Sequence, residues 1–436
     1  MTQKIESKKN ILMLCYYYPP LVDVGCKRSV AFSKYFKKHG WTPHVLSVKN
    51  PDRTYCSLGD DPPPREVHTE YSYSIINVYK FFGKLNGLLS RILKLFGMRL
   101  KRNYFIDIFC IPDIFWGWIP LTILNGLKLI RQYNIDVIYA SCPPFSAAVT
   151  GILLKKITNK PLVLDFRDPY ALDIPISADR PRFRRLLDRK IESFFLKQAD
   201  IFVVVTKEIQ TDYARRYYGL KDRMVNIYNG FDHELKPRGS SGKYSKFTII
   251  YTGNFYSGIE AMNSFTHSFF EGVRRLKEDG VCNTSNFQFL YYGDEKAAIE
   301  NIATDYGIHD LLVANSRISH QEMLSVLSRS HLQLIRIVKP ALGSKLLEGL
   351  ALNVPLLATI PCGEVEEIIR KYSPGSYVVS HASPEQVAGA IRDAMNKYKD
   401  NKIQDNRVDE FMKEFSRENL TRVFMDIIEE KTQVAK

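Results

Sequence analysis

The sequence offers no cysteine framework. Its seven cysteines (Cys15, Cys26, Cys56, Cys110, Cys142, Cys282 and Cys362) are odd in number and widely scattered, and none forms a Cys-x-x-Cys or Cys/His cluster. A disulfide-stapled scaffold and a structural zinc site are not expected, and reduced thiols of a cytoplasmic protein are the default. Long hydrophobic runs are missing too. The stretch Ile106–Ile130 comes closest to the ~18 apolar residues of a membrane span, but Pro112, Asp113, Pro120 and Lys128 interrupt it. The apolar start at Ile11–Tyr16 is too short for a secretory leader with its cleavage site and reads as a buried first strand. No G-x-G-x-x-G or Walker A loop occurs, so dinucleotide or ATP binding by those routes is not indicated.

Acidic residues are absent from one stretch. Between Glu70 and Asp107 there are none, while Lys80, Lys84, Arg91, Lys94, Arg99, Lys101 and Arg102 fall there, seven charges that equal half of the net +14. Among them Phe82, Leu85, Leu89, Ile92 and Phe96 recur at helical spacing, an apolar stripe on a basic helix. Such a helix suits an anionic membrane surface, and equally a helix packed on its own domain with solvated lysines. Nucleic acid is not expected as a partner, because no helix-turn-helix, zinc-finger or RNP-like motif accompanies the charge.

At 436 residues, with 45% hydrophobic and 25% charged residues, the chain is a soluble globular protein too long for one core. Short apolar strands alternate with helical segments throughout. In the first half strands are expected at Ile11–Tyr16, His44–Val48, Val137–Ala140, Leu162–Phe166, Ile201–Val205 and Val225–Tyr228. The Gly/Ser/Lys-rich stretch Leu235–Lys246 reads as a linker, after which the alternation restarts. The fold class expected is α/β, with two doubly wound, Rossmann-like parallel-sheet domains facing a cleft. The first spans 1–235 and the second 236–414, and a final helix at 415–436 crosses back onto the first. Ligands of such sheets bind beyond the carboxyl ends of the strands.

Three strand-end segments carry chemistry. Gly343 and Ser344 open a short helix in which Lys345 and Glu348 lie three apart on one face, in a first turn whose backbone N–H groups suit an anion. A lysine for phosphate and a carboxylate for ribose hydroxyls make half of a nucleotide site; an exposed ion pair is the alternative. Strand one runs into Gly25-Cys26-Lys27-Arg28, which puts cations in a helix's first turn, an arrangement that favours an incoming anion. Strand Leu162–Phe166 ends in Asp165-Phe166-Arg167-Asp168-Pro169, three charges that must pair with one another or meet a ligand. The basic run Arg180, Arg182, Arg184, Arg185 and Arg189 is either an anionic-acceptor surface or a solvated helix face.

In this order the elements resemble GT-B-fold glycosyltransferases of the large retaining family 4, which move sugars from nucleotide diphosphates. The resemblance runs through Tyr18-Pro-Pro and Gly25-x-x-Arg28, Gly40-Trp41, Asp136-Val-Ile-Tyr with Pro143-Pro144, Asp165-Phe-Arg-Asp-Pro169 and Ala199-Asp200. It continues through Asn229-Gly-Phe-Asp232, Tyr251-Thr-Gly253 and Ser319-His320 to Lys345-Leu-Leu-Glu348. It implies that Glu348 holds the donor ribose and Lys345 the diphosphate, with Gly343 and Ser344 at the same helix start. Ser319 and His320 would border the base, Gly253 and Asn254 would line the donor, and Gly25 with Arg28 would meet the leaving phosphate. Arg167 and Asp168 would be catalytic, Asp168 orienting or deprotonating the acceptor hydroxyl. The donor is then a nucleotide sugar, uridine being the family's commonest base, and it is a substrate: no cofactor and no metal are implied. The acceptor would be a glycan or lipid-linked intermediate of cell-surface polysaccharide synthesis, with the enzyme cytoplasmic or peripheral on the inner face of the membrane.

The chain departs from the family in three places. The first glutamate of the Glu-x7-Glu pair is replaced by Pro340, the loop Gly253–Gly258 lacks the usual arginine and lysine, and no histidine stands near Arg167. Lys339 and Lys345 are the cations left to compensate. An inactive relative acting as a binding subunit, and a sugar-nucleotide epimerase of the same fold, are the alternatives.

Overall fold

The computed structural model describes residues 9–54, 56–59, 62–98, 104–171, 181–232, 242–255, 260–337, 342–400 and 407–434. Several expectations fall outside these residues: the linker up to residue 241, Arg99, Lys101, Arg102, Arg180, Lys339, Pro340, and the loop residues Tyr256, Ser257 and Gly258. The chain divides into two compact units, Met1–Tyr228 with Arg417–Lys436, and Asn229–Ser416.

In the first unit β1 (Asn10–Leu14), β2 (Leu21–Val22), α1 (Val24–Lys38), β3 (Thr42–Val48), β4 (Ser57–Leu58) and β5 (His68–Ser72) come first. They are followed by α2 (Val78–Leu95), α3 (Tyr104–Phe109), α4 (Ile119–Gln132), β6 (Val137–Cys142), α5 (Ser146–Thr158) and β7 (Leu162–Phe166). The run α6 (Arg182–Gln198), β8 (Ile201–Val204), α7 (Lys207–Arg216) and β9 (Met224–Asn226) closes this stretch. Seven strands form one sheet in the order β5-β3-β1-β6-β7-β8-β9, with every neighbour parallel, while β2 and β4 make a separate antiparallel ribbon. Strands β6, β7 and β8 are buried along their whole length, as strands covered on both faces are, and apart from Ser141 and Asp165 their residues are apolar or aromatic. Leu12, Leu14, Ile138, Leu162 and Leu164 pack with Leu129, Leu154 and Phe195 in its core.

The second unit holds β10 (Phe247–Thr252), α8 (Glu260–Glu278), β11 (Phe287–Tyr292), α9 (Lys296–Asp305), β12 (Leu312–Asn315) and α10 (His320–Arg329). Next come β13 (Leu332–Arg336), α11 (Ser344–Ala351), β14 (Leu356–Thr359), α12 (Glu364–Tyr372), β15 (Tyr377–Val378), α13 (Pro384–Lys399) and α14 (Val408–Phe415). Its six-stranded sheet, β12-β11-β10-β13-β14-β15, is also parallel throughout. Ile249, Phe289, Leu334 and Leu357 pack against Phe265, Phe269 and Val273 of α8 and Val387 and Ile391 of α13.

Two doubly wound parallel-sheet α/β units are thus the observed architecture. Two kinds of element differ from the sequence expectation. Strand β5 reads His-Thr-Glu-Tyr-Ser, an edge strand held by its backbone ladder to β3 and not by an apolar run. Helix α13 buries Val387, Ala390, Ile391, Ala394 and Met395 at helical spacing, a stripe in which small alanines mute the hydrophobic signal.

Helix α15 (Arg417–Val434) belongs to the first unit and packs along α1. Phe424 is fully buried, its ring 5.2 Å from Phe32, 6.0 Å from Phe36 and 6.1 Å from Tyr139. Glu418 pairs with Lys38 at 2.5 Å, and Glu429 accepts the Trp41 indole N–H at 2.9 Å. The aromatic contact outweighs the polar ones, because the Lys38 pair is largely solvent-exposed. Phe424→Ala is therefore expected to destabilise the first unit by about 3–5 kcal/mol, read as a lower urea midpoint at unchanged slope, whereas Glu418→Ala should cost about 1 kcal/mol or less.

Candidate functional site

In the second unit a group of side chains gathers at the carboxyl ends of β10, β12 and β13 and at the helix starts that follow β12 and β13. Helix α11 is seated on β13 by a side-chain amide: Gln333 Nε2 donates to the Lys345 carbonyl at 3.1 Å, and Gly349 has no side chain where the Gln333 Oε1 sits. Its approach is braced from below by Asn229, whose amide donates to the Leu342 carbonyl at 3.3 Å next to the positive-φ Gly230. Gly343 is the N-cap and makes no side-chain cap bond, so the first turn of α11 is left to other acceptors.

Glu348 is buried, and its Oε1 lies 2.8 Å from His320 Nε2. His320 is the first residue of α10, fixed in place by a capping box: Ser319 Oγ accepts from Glu322 N–H while Glu322 Oε2 accepts from Ser319 N–H. The structure therefore brings Ser319, His320 and Glu348 together, and gives Ser319 a defined duty as a cap. Lys345 projects over Tyr251, its ammonium 5.3 Å from the ring centroid. It lies where a side chain on Gly253 would stand, and Gly253 also has φ +101°, a backbone that only glycine adopts without strain. Solvent reaches the Lys345 side chain, yet the protein around its ammonium desolvates it and the nearby Arg336 guanidinium repels it, holding its pKa down to about 8. The Asn254 side chain is exposed, and its carbonyl accepts from Tyr251 Oη at 2.7 Å.

Arg336 was not among the residues singled out by sequence. It ends β13 and reaches back to this loop, donating to Thr266 Oγ1 at 2.9 Å and, through Nη2, to Tyr251 Oη and the Asn254 carbonyl at 3.0 Å each. A charged residue closing a strand of four buried residues was the available signal.

In the first unit the strand-end charges sort differently from expectation. Arg28 is buried and directed inward: Nε and Nη2 donate to the two oxygens of Asp165 at 2.8 and 3.0 Å, and Nη1 donates to the Tyr228 carbonyl. Burial opposes its charge, and the Asp165 carboxylate more than offsets that, so its pKa stays above the ordinary value. Tyr139 completes the cluster, donating to Asp165 at 2.5 Å. Arg28 is thus a structural cation and not a donor contact, and its place in the first turn of α1 is explained by Asp165. The positive end of α1 is itself capped by Asp23, which accepts from Gly25 N–H at 2.6 Å.

Gly25 makes room for a side chain: any Cβ there would collide with the Arg167 guanidinium. Arg167 is held in that position by the Pro143 carbonyl and lies 5.8 Å over the Tyr17 ring. Asp168, the next residue, is exposed and makes no hydrogen bond or ion pair with the described residues. Arg167 pairs with neither Asp165 nor Asp168. Arg184 of the basic run is also structural, buried against Asp188 at 2.8 Å and donating to the Cys110 and Pro112 carbonyls.

Known proteins carry the same framework. Residues 29–235 match the family model described as Glycosyltransferase Family 4, and residues 266–410 match that described as Glycosyl transferases group 1. No curated protein sequence matches the chain. Among solved structures, sucrose-phosphate synthase from Thermosynechococcus elongatus is similar at 15% identity over 98% of this chain and 100% of that one, with a TM-score of 0.62. Anabaena HepE in complex with UDP-glucose is similar at 13% identity over 97% and 99%, with a TM-score of 0.60. The pneumococcal O-GlcNAc transferase GtfA in complex with UDP and GlcNAc is similar at 11% identity over 98% and 99%, with a TM-score of 0.56. The structural likeness speaks to the fold, and the two family models, one on each part of the chain, speak to the class. On both grounds the chain is a family 4-like glycosyltransferase of the GT-B fold.

Proposed function

We propose that the protein transfers a hexose from a nucleoside diphosphate sugar, with UDP as the carrier, to a glycan or lipid-linked acceptor with retention of configuration, in polysaccharide synthesis on the cytoplasmic side of a membrane. The observation that carries the reading is the N-terminal half of α11, where Lys345 lies beside Gly253 and Glu348 beside His320. Glu348 is placed to accept from ribose hydroxyls, with His320 orienting its carboxylate. Ser319 and His320 border the base. Lys345, Gly343, Ser344, Gly253 and Asn254 surround the diphosphate, whose charge meets an ammonium and a helix N-terminus in a metal-independent reaction. UDP is supported by its presence in the similar HepE and GtfA complexes.

In the reaction the bond from the anomeric carbon to the diphosphate oxygen breaks, leaving an oxocarbenium-like sugar. The acceptor oxygen bonds to the same face and its proton passes to Asp168, an exposed carboxylate at a strand's carboxyl end. Arg167, held beside Gly25, supplies positive charge for the departing phosphate.

Helix α2 supports a membrane-borne acceptor. Only Val78 is buried in it, while Phe81, Leu88, Ile92 and Leu95 are exposed alongside Lys80, Lys84, Arg91 and Lys94. Phe96 and Met98 extend the apolar face, and the Phe82 ring stacks with Phe109 of α3 at 5.3 Å. An exposed apolar stripe with cations and no acidic residue is complementary to anionic lipid. No helix of the described residues is long and apolar enough to cross a membrane.

Glu348→Ala and Lys345→Ala should each weaken nucleoside diphosphate binding at least about tenfold, measured as loss of the ligand-induced rise in unfolding temperature. Unshifted behaviour in the wild-type chain with every nucleotide at millimolar concentration favours the inactive binding-subunit alternative. Because the unliganded Lys345 amine loses its proton near pH 8, diphosphate affinity is expected to be highest below that value and to fall as pH rises through it. The fall should be absent in Lys345→Ala. Liposomes containing anionic lipid should sediment the wild-type chain and leave Lys84→Glu/Arg91→Glu in the supernatant; equal distribution of the two would argue for a soluble acceptor.

A further inference from the structure

The chain is held on both sides of Asp168. On the near side the Arg167 N–H donates to the Cys142 carbonyl at 2.8 Å, and the Arg167 guanidinium donates to the Pro143 carbonyl. On the far side Pro169 restricts its own backbone torsion, and the two residues after it are tied to α6. Tyr170 Oη lies 3.0 Å from Asp188 Oδ1 and 3.2 Å from the Pro112 carbonyl. The Ala171 N–H donates to Glu192 Oε1 at 2.8 Å. Asp188 and Glu192 are the acidic residues of α6, one helical turn apart, and both are buried.

Glu192 is fully enclosed. Tyr213 Oη donates to its Oε1 at 2.6 Å and Tyr217 Oη to its Oε2 at 3.0 Å, so α7 supplies the enclosure and the segment after β7 supplies the third donor. Burying a carboxylate is costly even when it is satisfied, and a well-packed apolar side chain would join α6 to α7 as firmly. What an apolar side chain cannot do is accept the Ala171 N–H. The buried acid therefore acts on the backbone three residues beyond Asp168. No described residue grips the exposed Asp168 carboxylate itself, so its place follows from the chain on either side. A group that takes a proton in a reaction must be placed closely, since a misplacement of about 1 Å can cost ~100-fold in rate.

We propose that Glu192 is a positioning residue for Asp168, fixing with Asp188 the backbone that presents this carboxylate to the acceptor hydroxyl. The proposal rests on the role given to Asp168 above and adds the device that holds it.

The test is a double-mutant cycle on the full chain, read as hydrolysis of a nucleotide sugar with water in the acceptor's place. UDP-glucose, UDP-galactose, UDP-N-acetylglucosamine and GDP-mannose are supplied in turn, and the fastest is carried forward. Asp168→Asn should lower kcat. Glu192→Leu should lower kcat at least about tenfold and leave KM within about twofold, because the residues read as holding the donor lie in the second unit. Glu192→Gln keeps an oxygen for the Ala171 N–H and should return to within about threefold of the wild type. In the Asp168→Asn background Glu192→Leu should change kcat less than about twofold, since no carboxylate remains to be placed. Tyr170→Phe keeps its ring against Phe145 and Phe195 and serves where the leucine variant does not fold. It should show the same dependence on Asp168 with a fall of about threefold or more.

An equal fall with and without the Asp168 carboxylate overturns the proposal and marks Glu192 as support for the fold alone. So does a raised KM at unchanged kcat, an unchanged kcat in both folded variants, or a glutamine variant as slow as the leucine one. Wild-type kcat in Asp168→Asn overturns the Asp168 reading and the proposal with it, leaving the donor site to its own binding test. Absence of hydrolysis of all four donors by the wild type overturns both as well.

Discussion

A parallel sheet constrains everything else here. Each strand must be followed by a return over one face before the next can pair, so every carboxyl end in a unit opens onto the same edge. That geometry, not proximity in sequence, assembles the side chains of interest. Gly253 follows β10, His320 opens the helix after β12, Arg336 closes β13 and Lys345 opens the helix beyond it, and the four converge because all these strand ends lie on one edge of the parallel sheet. In the first unit the same rule brings the end of β7 to the start of α1, so that Arg28 and Asp165, far apart in the chain, form one buried pair.

The alternation of short apolar strands with helices was enough to read the architecture, because strands covered on both faces are near-continuous apolar runs, a buried charge such as Asp165 being tolerated only with its partner. A strand such as Leu162–Phe166 is legible to the residue. The edge strand β5 was not, since only its ladder to β3 makes it a strand. Among site residues, Lys345 and Glu348 could be read together because helical spacing puts them on one face. The His320–Glu348 contact and the position of Arg336 could not, for they depend on which strands are neighbours and not on any local period. Arg336 in particular looked like the end of one more core strand.

Charge was the harder signal. Cations in a helix's first turn suggest an awaiting anion, and at Arg28 the anion exists, but it is a carboxylate of the same protein. The same ambiguity applies to Arg184, whose partner Asp188 lies one helical turn away. What separates these residues from Lys345 is burial with a bidentate or carbonyl-satisfied partner. A guanidinium that is fully engaged holds the fold together; an ammonium raised over a ring with another cation beside it has not been neutralised by the fold.

The packing of α15 on α1 gives the chain an order of assembly. The surface formed by Phe32, Phe36 and Tyr139 is made before the second unit, whereas Phe424, which covers it, is translated after that unit. Between them the ribosome makes the whole second unit, residues 229–416. The first unit must therefore wait, with an aromatic groove open, while its neighbour is translated, and on the ribosome the middle of the sequence can finish folding before its beginning does. For a cell making this protein, the hazard lies in that interval, when an exposed aromatic groove is open to chaperones and to other nascent chains.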